Sequence, residues 1–319
     1  MALMTDLRPT MAEVHEARER LRGVAVRTPL LQLHESETIW IKPEVLQPVG
    51  SFKMRGIYNA VAALDPTERA KGVSTVSSGN TAQALAWSAR RFGVPARAIM
   101  PHSAPRSKIE ATEAYGGVAD LRTMEETFSY LRNGGYHDFE DAFIHPVANR
   151  DVVAGHGSIG LEIHEDMPDV DTVFVPIGGG GLISGIANAL KALQPSVRIV
   201  GVQPSGCTPV IAGLAAGESV DVKVQTICDG VAVSFMFPEM FPLLRDLVDD
   251  IVTVDDEQVI AAIRRLALRN KIVAEGAGAL AVAAALQAHE HGTAMNKTVA
   301  IISGGSINAE TLAHILASA

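Results

Sequence analysis

The sequence predicts an α/β protein with open parallel-type sheets flanked by helices, and three observations predict it. Short β-rich runs alternate with helical ones along most of the chain, the rhythm of βαβ units. Four consecutive glycines, 178–181, follow a strand-like run and precede a helical one. With 47% hydrophobic against 20% charged residues, the 319-residue chain can bury a large core. That length suits two domains, or one large α/β body with a lobe inserted in it.

Met11–Leu21 reads as an amphipathic helix. Positions 40–46 open with strand-like Trp40 and Ile41 and lead into the turn Pro48-Val49-Gly50-Ser51. The apolar spacing Ile57, Ala60, Val61 and Leu64 predicts a helix behind it, so Lys53 falls on a strand-to-helix turn. From Gly72 the alternation is regular: strand at Val73–Val76, helix at 82–91, strand at 96–100, helix at 106–115. It resumes with a buried strand at 172–175, a helix at 182–193 and a strand at 198–202. A helix is expected at 253–268, with Thr253 or Asp255 as N-cap. The alanine-rich stretch 272–287 predicts a helix buried on most sides, and Thr298–Ile302 a last strand ending at Ser303. The sequence has no internal repeat and no low-complexity tail.

Composition narrows the partners. The net charge of −9, with no basic stripe, argues against nucleic acid and anionic membranes and for a small metabolite. Cys207 and Cys228 lack Cys-x-x-Cys spacing, so neither a disulfide framework nor a zinc knuckle is expected, and reducing cytoplasm is the natural compartment. The first eight residues include Asp6 and lack the order of a signal peptide. The longest uncharged stretch, between Val173 and Lys191, is broken by Pro176 and the glycines, so no membrane span is expected.

Four short segments carry candidate chemistry. Lys53 follows an aromatic on a turn of restricted direction; desolvation lowers a lysine pKa, and a neutral amine forms a Schiff base with an aldehyde. A surface lysine at a helix start is the plain alternative. Gly178, Gly179, Gly180 and Gly181, then Leu182, free backbone N–H groups to converge on an anion at a helix N-terminus. They match neither the dinucleotide fingerprint nor the nucleoside-triphosphate loop, and a tight turn under close helix packing is the alternative. Ser77, Ser78, Gly79, Asn80 and Thr81 lie between a strand and a helix, where amides and hydroxyls suit a carboxylate, or simply cap the helix. Ser303, followed by Gly304 and Gly305, is the fourth, unless it merely caps the last helix. His289, Glu290 and His291 read as a solvated helix end, and no His-Glu-x-x-His is present.

In this order, Gly50-Ser51-Phe52-Lys53-x-Arg55-Gly56, Ser77-Ser78-Gly79-Asn80, the 178–181 glycines with Leu182, and Ser303-Gly304-Gly305 resemble the motifs of fold type II pyridoxal-phosphate enzymes. The branch they resemble is that of the threonine/serine dehydratases and serine racemase, and the likeness covers nearly the whole chain. It implies a tryptophan synthase β-like fold, with a large domain of residues 1–70 and 147–319 and an inserted small mobile domain of 71–146. It implies pyridoxal 5'-phosphate as cofactor, with Lys53 as its covalent anchor and Phe52 packed near its ring. The glycines and Leu182 would hold the phosphate, Ser303 would meet the pyridine nitrogen, and Asn80 would reach the 3'-oxygen. Ser77, Ser78, Gly79, Asn80 and Thr81 would receive the substrate, with Ser78 facing it opposite Lys53. Glu275 and Asp229 resemble acidic positions near the cofactor.

Departures from the pattern bear on the reaction. Thr81 stands where dehydratases commonly carry His, and Ser306 where Asn is frequent, while Met54 argues against the synthase branches. The segment 202–209 matches the place where some relatives bind a divalent ion, but it has no carboxylate, so no metal site of that kind is expected. A neutral hydroxyl at Ser303 makes the ring a mild electron sink, which suits β-elimination. The expected activity is that of an ammonia-lyase on a β-hydroxy-α-amino acid such as threonine or serine. The alternatives are a racemase, a β-replacement synthase or a catalytically silent amino-acid-binding protein. Loop 231–238, with Phe235, Met236 and Phe237, would line an apolar pocket or only pack the core, and its lack of Arg or Lys favours small or apolar side chains. The chain ends soon after the last motif, so no C-terminal regulatory domain is expected, and a homodimer is the family's usual assembly.

Overall fold

Side chains decide where the first helix begins, and the same logic recurs along the chain. Thr10 and Glu13 form a reciprocal capping box at the start of Met11–Leu21, each satisfying a backbone N–H that the helix leaves free. The computed structural model describes residues 6–132, 139–292 and 296–318 of the chain. The first five residues, on which the leader reading partly rests, lie outside it.

Ten strands are found among the described residues: β1 Leu31–Gln32, β2 Ile39–Pro43, β3 Val73–Val76, β4 Ala96–Pro101, β5 Val118–Arg122, β6 Ala142–Phe143, β7 Thr172–Pro176, β8 Arg198–Pro204, β9 Asp250–Val254 and β10 Thr298–Ile302. They form a six-stranded sheet, ordered β1-β2-β10-β7-β8-β9, and a four-stranded sheet, ordered β5-β4-β3-β6. Every pairing between these strands is parallel except β1 with β2. β7 and β10 are buried at every position, as strands covered on both faces must be. One core, with Val173, Val175, Ile183 and Ile186, lies on one side of the large sheet; another, with Phe174, Val200 and the alanines of the Gly276–Glu290 helix, lies on the other.

Several boundaries differ from the sequence reading for identifiable reasons. The expected helix at 253–268 begins later: Thr253 belongs to β9, and Asp255 is the cap, its carboxylate accepting from Gln258 N in a second capping box. The alanine-rich helix starts at Gly276 instead of 272: Lys271, with a left-handed φ of 60°, ends the preceding helical turn, and the backbone is still extended at Glu275, the N-cap, with φ −78° and ψ 170°. Ser303 caps no helix; the last one, Ala309–Ala317, is capped by Asn308.

The helix Arg150–Asp166 lies between the helices Lys53–Ala63 and Gly181–Leu193. A Cβ on Gly155 would fall 2.5 Å from Arg55 O, so this crossing closes only because the position is glycine. The lysine helix is thereby held backbone to backbone.

Candidate active site

Lys53 opens the helix Lys53–Ala63, and the turn before it is tied to the other end of the chain. Phe52 N donates to Ser303 O at 3.0 Å, Gly305 N donates to Gly50 O at 3.0 Å, and Ser51 bridges Gly304. The Lys53 and Ser303 motifs, 250 positions apart, are therefore one structural unit. Lys53 is half-buried, with Nζ 3.5 Å from Pro146 O and 5.0 Å from the centre of the Phe52 ring. Loss of hydration lowers its pKa from 10.5 to about 8, against a partial restoring attraction from Glu275. The surface-lysine alternative fails on this placement.

Arg55, a fixed position of the lysine motif without a role in the sequence reading, explains what anchors this turn. Its guanidinium lies in the core and makes paired bonds to Glu44 (2.7 and 2.9 Å) and to Glu162 (2.6 and 2.9 Å). Lys42 Nζ adds a bond to Glu162 at 2.6 Å, so two buried cations face two buried carboxylates. Burial alone would lower the Arg55 pKa, but Glu44 and Glu162 more than offset it and hold the group charged.

The glycine run joins β7 to the helix Gly181–Leu193. Gly180 has a φ of 97°, which a side chain would resist. A Cβ on Gly179 would lie 2.6 Å from Val147 Cγ2 and 2.9 Å from Phe237 Cε2. The loop thus keeps its amides free of side chains at a helix N-terminus, an anion cradle. Pro146 and Val147 connect it to the lysine: Pro146 O faces Lys53 Nζ, and Val147 packs against Gly179.

The turn 77–81 follows β3 and opens the helix Asn80–Phe92. Ser77 Oγ accepts from Gly79 N at 3.2 Å; Ser78 is half-buried in the same turn, and Thr81 is buried in the first turn of the helix. Asn80 Nδ2 donates to Glu275 Oε1 at 2.7 Å, while Asn80 Oδ1 and Glu275 Oε2 are buried without a protein partner. A Cβ on Gly304 would lie 2.4 Å from Glu275 Oε1 and 3.1 Å from Asn80 Nδ2, which sets this pair beside Ser303. Ser303 is buried, and its hydroxyl donates to Ala277 O at 3.3 Å. Burial and the neighbouring Asp229 raise the Glu275 pKa to about 7, despite Lys108, Asn80 and Lys53. Glu275 is therefore a central group of the site, felt electrostatically by both Asp229 and its ion-pair partner Lys108.

Loop 231–238 closes one wall. Phe235, Met236 and Phe237 are buried in the core cluster that also holds Val147 and Leu182, with Phe237 on the glycine run. His145 stacks edge-on against Phe237, and His156 lies 4.8 Å from the Phe52 ring centre. Burial lowers both imidazole pKa values, with Lys53 adding to the effect, to about 4 and about 3 respectively, so both rings are neutral around the amine. Among the described residues no helix is long and apolar enough to cross a membrane, and no group of three or more His, Cys, Asp or Glu is placed to hold a metal ion.

These residues fit pyridoxal phosphate: a desolvated amine for its aldehyde, a cradle that a Cβ would fill for its phosphate, and an unpartnered Asn80 Oδ1 on the side chain that bonds Glu275, the carboxyl whose charge reaches Lys53. Comparison with known proteins agrees. Residues 21–304 match the family described as pyridoxal-phosphate dependent enzyme. L-threonine ammonia-lyase of Thermotoga maritima is 40% identical over 314 residues, 96% of this chain and 78% of that one. L-threonine dehydratase catabolic TdcB of Escherichia coli K12 is 38% identical over 323 residues, 99% and 98% of the two chains. The structure of maize serine racemase superposes with a TM-score of 0.89 at 34% identity, covering 98% of both chains.

Proposed function

The chain belongs to the pyridoxal-phosphate dependent enzyme family, and from that membership and the site above we propose an ammonia-lyase. It converts a β-hydroxy-α-amino acid such as L-threonine or L-serine to a 2-oxo acid and ammonia by β-elimination. The observation that carries this reading is the continuous set of contacts that links the desolvated Lys53 amine to the glycine cradle through Pro146 and Val147, and the turn 77–81 to the Ser303 motif through Glu275. The relatives named for threonine ammonia-lyase and dehydratase activity support the substrate class.

In this reading the amides of Gly178, Gly179, Gly180, Gly181 and Leu182 would hold the cofactor phosphate, Lys53 its aldehyde, Ser303 its ring nitrogen and Asn80 its 3'-oxygen, with Phe52 packed against the site. When bound, pyridoxal phosphate would supply the electron-accepting ring that makes the substrate's α-hydrogen acidic. Ser77, Gly79, Asn80 and Thr81 orient the substrate by its carboxylate, which aims the α-hydrogen at Lys53. Lys53 Nζ accepts that proton; with a pKa of about 8, roughly a tenth of the free amine is neutral at pH 7 before any substrate arrives. Ser78, on the other face, donates a proton to the departing β-hydroxyl. The aromatic wall excludes bulk water until release, and hydrolysis then returns one water and frees ammonia.

Residues 1–70 and 147–319 form the large domain in this reading, and 71–146 a small domain whose motion admits substrate. A cytoplasmic homodimer completes the proposal. Lys53→Ala is expected to remove both the visible band of the lysine-bound cofactor and 2-oxo acid formation; a fully active Lys53→Ala protein refutes the assignment. Racemisation is the second reading, favoured by the likeness to maize serine racemase. Incubation with L-serine separates the two, since a racemase accumulates D-serine where a lyase accumulates pyruvate.

A further inference from the structure

The site reading places the substrate carboxylate at the turn 77–81, and the inference that follows rests on it. That turn lies inside a closed ring of contacts drawn from both sheets. Lys108, on the helix Arg106–Ala114 beside the four-stranded sheet, lays its side chain over Gly79: a Cβ there would sit 3.5 Å from both Lys108 Cδ and Nζ. The Lys108 ammonium pairs with Asp229 Oδ2, in the short turn Asp229–Val231 that packs on the Gly276–Glu290 helix. That turn rests on Glu275, since a Cβ on Gly230 would lie 3.3 Å from Glu275 Oε1. Glu275 then takes the Asn80 amide and closes the ring at the turn where it began.

The two partners of the ion pair differ in what surrounds them. The Lys108 side chain is 14% exposed and Asp229 55%. Asp229 can therefore return to water at little cost, because an exposed carboxylate gains little from its pairing. Lys108, enclosed by the ring, needs an anion beside it. The buried oxygens Asn80 Oδ1 and Glu275 Oε2, at the other side of the ring, lack protein partners and face donors such as the substrate's amino group, leaving Lys108 as the cation for its carboxylate. Loop 231–238 carries no Arg or Lys, so the cation at the substrate turn comes from a different element, the helix Arg106–Ala114.

The geometry points to Lys108 as a substrate-binding residue that exchanges its salt bridge with Asp229 for the α-carboxylate of the incoming amino acid. Asp229 is then a place-holding anion that keeps Lys108 aimed across the turn while the site awaits substrate. The exchange favours ligands carrying a free carboxylate and disfavours their amides, a selectivity that backbone N–H groups alone, which bind either, do not provide.

The test is a titration of the cofactor-loaded protein with L-serine and with L-serinamide, followed by the change in visible absorbance and so independent of turnover. Lys108→Gln is expected to weaken L-serine binding about tenfold, the usual scale for one charge-assisted contact, and to leave L-serinamide unchanged. Asp229→Asn, which keeps the cation and removes its competitor, is expected to tighten L-serine binding about two- to threefold. A purely structural clasp predicts that both variants weaken both ligands alike, and that result overturns the proposal. Should Lys108→Gln fail to fold, Asp229→Asn decides alone: tighter L-serine binding supports the exchange, and equal or weaker binding overturns it. A wild-type protein that binds L-serine but forms no 2-oxo acid refutes the lyase reading and leaves this one standing.

Discussion

Replacing Arg55 by Met should cost the protein more stability than any exposed substitution, and part of the cost should be recoverable by a second change at its direct partner Glu44. In the wild type Lys42 and Arg55 face Glu44 and Glu162, all four side chains buried and the cluster neutral. Arg55→Met leaves one cation for two buried carboxylates, an uncompensated charge of the kind that costs about 3–5 kcal/mol. Set against the total of about 5–15 kcal/mol typical of a folded domain, that is a large fraction. Adding Glu44→Gln removes the surplus charge and leaves the Lys42–Glu162 pair at 2.6 Å intact, so the double variant should recover about 2 kcal/mol relative to Arg55→Met. Urea unfolding at pH 7, read from midpoints at constant slope, measures all three proteins.

The pH dependence of these proteins carries an opposite sign in the two backgrounds. In the wild type, burial would raise the Glu44 pKa, but Arg55 outweighs it and holds the pKa below the ordinary value, so its stabilisation is present above about 4.5 and lost as pH falls. In Arg55→Met the surplus carboxylate has a raised pKa, so stability should increase as pH falls from 7 toward 5. An Arg55→Met protein within about 1 kcal/mol of the wild type, or one that Glu44→Gln destabilises further, would refute the charge-balance reasoning.

Four further outcomes follow from the site. Lys53 has a pKa of about 8 in place of 10.5, so the rate at which apoprotein reacts with pyridoxal phosphate should rise with pH and level off above about 8, followed by stopped-flow absorbance; a flat profile from pH 6 to 9 contradicts the assignment. The same lowered pKa costs up to about 3 kcal/mol of stability below pH 8, relieved as pH rises toward 10.5, so Lys53→Met apoprotein should unfold at higher urea than wild type at pH 7. Glu275→Gln removes an attraction that raises the Lys53 pKa, and the inflection in the cofactor-addition profile should move to lower pH; an upward move is the contrary result. Gly179→Ala sets a Cβ 2.6 Å from Val147 Cγ2 and should weaken cofactor binding at least tenfold with circular dichroism unchanged, and wild-type affinity would remove the cradle from the account.

What was legible in the sequence was chemistry carried on consecutive residues. The Lys53 turn, the glycine run and the 77–81 turn each hold their meaning within a few positions, because a helix N-terminus and the strand before it are local structures. Interactions that close through space left no such trace. Arg55 meets Glu162 across 107 positions, Lys108 meets Asp229 across 121, and Asn80 meets Glu275 across 195. Glu275 and Asp229 stood out only by resemblance, and Lys108 did not stand out at all. The delayed start of the alanine-rich helix was hidden for a different reason: the apolar, alanine-rich composition is continuous from 272 onward, and it carries no mark of the extended backbone at Glu275 that precedes the first helical residue. The two-residue β1, antiparallel to β2, is too short for any alternation to register.

The account depends on one nitrogen, and borohydride reduction interrogates it directly. Protein loaded with pyridoxal phosphate, reduced, digested and examined by peptide mass spectrometry should carry the pyridoxyl mass on the peptide containing Lys53 and on no other lysine in stoichiometric amount. Stoichiometric label on a different lysine, or loss of all label with the visible band unaffected by reduction, would contradict the assignment of Lys53 as the cofactor's anchor.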